Sequence, residues 1–146
     1  MGDAVTTFIE RFRSLGLDGG PCSAAEVEGL EDHLRVTLPT AYKAYLRIAG
    51  RHAPAAWVGS DCTVDKLPDL QEWGPELLRE SGQPPLPPQA FVFAMHQGYQ
   101  FYYFLADGCS DDPPVFYYLE GEPAVVPRFE RLSDLIAIVA NDRRDA

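Results

Sequence analysis

The sequence predicts an α+β fold: N-terminal helices packed on a mainly antiparallel sheet of about four to six strands, with a C-terminal helix. Three observations carry this. The first third repeats apolar residues at helical spacing between start and stop signals. The second half changes to short aromatic and β-branched runs divided by turn residues. One more run with helical periodicity closes the chain.

The elements follow in order. Val5, Phe8, Ile9, Phe12 and Leu15 share one helical face, and Gly16 ends that helix. After the loop "LDGGPC", Ser23 and Glu26 form the S-x-x-E of a capping box. It opens a helix over residues 23–34 that carries Val27, Leu30 and Leu34. In "RVTLPTAYKAYLRIAGR", Pro39 suits a first helical turn, where its missing N–H costs nothing. Tyr42, Tyr45, Leu46 and Ala49 share a face, and Gly50 is expected to end the helix in the left-handed conformation.

An irregular stretch follows, with "AAWVG" as a short strand. Leu67 to Glu80 reads as a helix with Leu70, Trp73, Leu77 and Leu78 apolar, broken or kinked at Pro75. "SGQPPLPPQ" is a stiff connector. "AFVFAMHQ", "QFYYFLAD", "PVFYYLEG" and "AVVPRFE" form an antiparallel meander. Both alternating faces of "FYYFL" are apolar, so this strand is central. Ser133 is expected as the N-cap of the closing helix, with Leu135, Ile136, Ile138 and Val139 apolar. "NDRRDA" is a charged, fraying tail.

The chain has 146 residues, enough for one domain with its own core, and no internal boundary divides residues 1–146. Its formal net charge of -10 disfavours nucleic acid and anionic membranes, since phosphate binding needs a positive face. The charge suits a solvated acidic surface, or a basic partner steered by its field. The acids fall in two zones along the sequence. One holds Asp61, Asp65, Asp69, Glu72 and Glu76; the other holds Asp107, Asp111, Asp112, Glu120 and Glu122. Three scattered cysteines make no disulfide framework. The N-terminus has no signal-peptide h-region, and no run reaches membrane-span length. A cytoplasmic protein is expected.

Chemistry is sparse. His33, His52 and His96 lie in different elements, not at ligand spacing. "DGCSDD" lacks the spacing and closing Glu of a calcium loop and reads as a strand-connecting turn. Cys109 with His96 is the one pair to weigh as nucleophile and base for a small hydrolase. The aromatics of "GYQFYYF" are core or interface rather than an RNA platform, because no Lys or Arg lies between Glu80 and Pro127. No catalytic, cofactor-binding or metal-binding residue is assigned.

"AAEVEGLEDHLRVTLPTAYKAYLRIAG" resembles the signature of the SUKH superfamily, the SMI/KNR-type family, through Leu30, Glu31, Leu34, Leu38, Pro39, Tyr42, Leu46 and Gly50. Ala49 departs from the Asn or small polar residue usual before that glycine. "FVFAMHQGYQFYYFLADG", "DDPPVFYYLEGEP" and "FERLSDLIAIVAN" resemble the family's hairpin, its following strand and its terminal helix. The resemblance implies a single SUKH-like domain over residues 1–146. It also implies function by binding, as a cytoplasmic immunity protein that neutralises a cognate toxin, often a nuclease with a basic surface. It supplies no catalytic residues. A general scaffold or regulatory binding module without a toxin is the alternative. By residue type and position, Trp57, Asp61, His96, Tyr99 and Tyr102 are expected near the partner. Oligomeric state is left open.

Overall fold

The computed structural model describes residues 20–51 and 60–142, with Glu10 besides. Val5, Phe8, Ile9, Phe12 and Leu15 of the first predicted helix lie outside the described residues, as do "AAWVG" and residues 143–146.

The first described helix, α1, spans Ala24–Leu34. Its capping box is complete: the Ser23 hydroxyl accepts the Glu26 N–H at 3.1 Å, and the Glu26 carboxylate accepts the Ser23 N–H at 2.9 Å. Helix α2 spans Thr40–Ala49, with Pro39 as its N-cap residue. Gly50 departs from expectation. Its φ is -68°, right-handed, so the glycine is not there for a left-handed cap. Space requires it instead: an added Cβ would stand 2.7 Å from Cys22 Sγ and 2.9 Å from the Leu46 carbonyl oxygen.

Strand β1 (Ser60–Asp61) and a 3₁₀ turn (Val64–Lys66) lead into helix α3, Leu67–Glu80. Pro75 lies inside α3, yet the helix continues through it unbroken. Strands β2 (Ala90–His96), β3 (Gln100–Leu105), β4 (Val115–Leu119) and β5 (Val126–Phe129) are the four predicted runs. They form one antiparallel sheet in the order β1-β2-β3-β4-β5, with β3 in the middle as expected. The β2–β3 turn puts Gln97 and Gly98 at positive φ, which suits the twist of a tight hairpin.

The pleat sorts the aromatics onto two faces. Phe91, Phe93 and Phe104 meet Tyr42 of α2, with ring centroids 5.2–5.8 Å apart. Val92 points the other way, to α3, where a Cβ on Gly74 would come within 2.8 Å of it. Helices therefore cover both sides of β2, and Phe91 to Met95 are all buried. The register shifts at Phe93, and there the Gln71 side chain reaches the strand. Its amide donates to the Val92 carbonyl at 2.7 Å and accepts the Val92 N–H at 2.9 Å. Gln71 thus fills one position that a longer β1 would occupy.

The closing helix α4 spans Leu132–Asp142. Leu132, Leu135 and Ile136 are buried, but Ile138 is exposed. Ser133 is not the N-cap: it lies inside the first turn and is buried.

Candidate partner-binding surfaces

The carboxylates divide by what they touch, and the division cuts across the two sequence zones. Asp112 reaches α4 from the β3–β4 loop. Its two oxygens accept the Ser133 N–H at 2.9 Å and the Ser133 hydroxyl at 2.6 Å. It is therefore the cap expected of Ser133, supplied from 21 residues away. Asp111 does the same for α2: its carboxylate accepts the Thr40 hydroxyl at 2.8 Å, and its carbonyl accepts the Ala41 N–H at 2.9 Å. Asp107 accepts the Cys109 N–H at 2.9 Å, which folds the loop on itself. "DGCSDD" is a turn, as expected, and it also ties down two helix starts. No group of three or more His, Cys, Asp or Glu is placed to hold a metal ion among the described residues.

The rest of the second zone lies elsewhere. Glu120 and Glu122 follow β4, at the other end of the sheet. With Leu77, Glu80 and Tyr118 they line a cavity of about 690 Å³. Leu77 and Glu80 are shared with a neighbouring cavity of about 330 Å³, lined also by Asp61, Trp73, Glu76, Met95 and Gly98. The two make one groove between α3 and the hairpin turns. Its lining is more polar than apolar: Leu77, Met95 and Tyr118 stand in its wall, nearly buried, and its rim is acidic. Among the described residues, none of Asp61, Glu76, Glu80, Glu120 or Glu122 enters an ion pair. Trp73, read from the sequence as an apolar residue of the α3 pattern, is 38% exposed at this groove. Trp73, Glu76 and Glu80 stand at i, i+3 and i+7, and this spacing was the signal in the sequence.

The opposite face of the sheet carries most of the expected contact residues. His96 and Tyr102 point to that side, and Tyr99 stands at the turn beside them, its ring edge-on to His96 at 5.4 Å. The Ser60 hydroxyl lies 2.8 Å from His96 Nδ1. Tyr102 packs on Tyr117 at 5.0 Å, and Arg128 stands 5.5 Å from the Tyr117 ring centroid. Arg128 is the cation that counting only to Pro127 leaves out; its place in "AVVPRFE" marked it for a strand. Asp61 pairs with Met95, so it belongs to the groove side rather than with His96. Trp57 lies outside the described residues.

Cys109 and His96 do not meet. Antiparallel pairing puts His96 beside Gln100 and Ala90 beside Leu105, so Cys109, beyond Leu105, lies at the far end of the ladder from His96. The ladder is about 20 Å long. The hydrogen bond to Asp107, and that residue's charge, raise the exposed Cys109 thiol, the wrong direction for a nucleophile.

The link between α1 and α2 carries the remaining signature residues. Leu30, Leu38, Pro39, Tyr42 and Leu46 are buried, and Leu34 packs against the core. Glu31 accepts the Leu38 N–H at 2.8 Å and lies 3.9 Å from Lys43 Nζ. It holds the link in place across seven residues. Over residues 21–138 the sequence matches the SMI1/KNR4 family (SUKH-1). The chain belongs to that family. No curated protein matches it. In this SUKH-1 chain the signature is therefore a packing device: Tyr42 fills the core, Glu31 orders the link and Gly50 lets Cys22 approach. No helix among the described residues is long and apolar enough to cross a membrane.

Proposed function

We propose that this chain is an immunity-type protein, a single cytoplasmic binding domain that neutralises a cognate toxin by covering a basic surface on it. Membership of the SMI1/KNR4 family over residues 21–138 carries this reading. The net charge of -10 supports it, because an acidic surface steers and complements a basic one. Binding rather than catalysis is the reading that fits a chain whose one pair considered for hydrolysis, Cys109 and His96, stands at opposite ends of a ladder.

Contact residues are proposed on two surfaces: Asp61 on the groove, and His96, Tyr99 and Tyr102 on the sheet face; Trp57, outside the described residues, is proposed by its residue type alone. The test is co-expression with a toxin domain taken from the neighbouring genes, where they encode a large protein with a toxic C-terminus. Protection of the cells is expected, and is expected to persist in Cys109→Ala, whose exposed thiol lies at the end of the sheet away from His96. Cells that die despite expression of the folded chain would exclude the toxin reading and leave the alternative, a general regulatory binding module.

A further inference from the structure

The groove beside α3 has three properties that belong together. It is concave, at about 690 and 330 Å³ in two adjoining parts, a size that takes a few side chains rather than a whole domain. Its floor offers Leu77 and Met95, with the exposed Trp73 at its mouth. Its rim carries carboxylates that enter no ion pair among the described residues. Asp111 and Asp112 accept internal donors, and Glu26 and Glu31 pair with Arg51 and Lys43. Glu28 and Asp32 are in no ion pair among the described residues either, but they line neither part of the groove, so the concave setting beside Trp73 is what sets Glu76 and Glu80 apart.

We propose that this groove receives a protruding segment of a protein partner that carries arginine or lysine beside an apolar side chain. The apolar group seats on Leu77 and Met95. The cation lies between the Trp73 ring and the carboxylates of Glu76 and Glu80, where ring and charge both attract it. A lone inorganic cation would use the carboxylates and leave Trp73 without a role. The sheet face suits such a segment less well, because Arg128 already occupies its aromatic surface at Tyr117. The proposal rests on the reading of the chain as an immunity-type protein and assigns the groove to a segment of that toxin partner.

The test uses the full chain and a short amidated peptide bearing arginine and leucine, followed by nuclear magnetic resonance. Saturable shifts of the Trp73 indole and the Gly98 amide are expected. Glu76→Gln with Glu80→Gln should weaken binding at least about tenfold. Glu28→Gln with Asp32→Asn changes the net charge equally on the exposed side of α1, and should weaken it less than about twofold. Equal weakening by both pairs would overturn the groove. So would shifts confined to Tyr117 and Arg128, or equal affinity for a glutamate-for-arginine peptide. Protection of cells separates this proposal from the toxin reading. Loss of protection in Glu76→Gln with Glu80→Gln, in a chain that still folds, supports the groove; full protection there overturns it while the toxin reading stands.

Discussion

The loop at one end of the sheet and the groove at the other are both acidic, and their carboxylates do opposite things. In the loop, Asp111 and Asp112 stand where helix N–H groups and hydroxyls need acceptors. Along the groove, Glu76, Glu80, Glu120 and Glu122 line a surface and enter no ion pair among the described residues. Charge and spacing in the sequence look alike in the two regions. The difference is made by donors: a carboxylate beside unpaired backbone N–H groups contributes to folding, and one without them is available to a partner.

Substitutions should break the comparison cleanly. Asp112→Ala removes both acceptors from the buried Ser133, and chemical denaturation should show a loss of about 1–3 kcal/mol. A stability equal to that of the parent would mean the cap is dispensable. Asp111→Ala loses only the exposed bond to Thr40, since its carbonyl still serves Ala41, and should cost about 0.5–1 kcal/mol. Glu76→Gln and Glu80→Gln should each stay within about 0.5 kcal/mol of the parent in the same measurement.

Acid sharpens the contrast further. The Ser23 N–H and then the Arg51 guanidinium hold the Glu26 carboxyl below its ordinary value. A lowered folded-state value means the contribution of Glu26 is complete above its unfolded value and is lost as pH falls through the folded one. Below pH 5, Glu26→Gln should therefore lose stability less steeply than the parent, a small difference that paired denaturation curves at several pH values would reveal.

Local signals were legible. The Ser23–Glu26 box, the Leu38–Pro39 step and the aromatic run "FYYFL", apolar on both faces, place α1, α2 and β3 because each depends on neighbours a few residues away. Contacts between distant residues were not. Ser133 looked like a cap because Ser favours that position; Asp112, 21 residues away, does the work. Gly50 looked like a left-handed terminus because glycine commonly is one; the approach of Cys22 decides it. Pro75 looked like a helix breaker, yet α3 continues through it, with Gly74 against Val92 and Leu77 in the core. The groove was half legible, since Trp73, Glu76 and Glu80 share a stripe, but Glu120 and Glu122 join it only through the fold.

Gln71 has a consequence for how these molecules meet one another. β1 is two residues long and, among the described residues, leaves much of the outer edge of β2 without a paired strand. An open edge is a template on which another chain can add a strand. The Gln71 amide closes that edge at Val92 by mimicking one residue of the missing neighbour, and it is held there by a helix that an incoming strand would have to displace. The outer strand on the other side, β5, carries Pro127, which has no N–H to offer. Sheet-to-sheet polymerisation is thus discouraged by a side chain at one margin and an imino acid at the other.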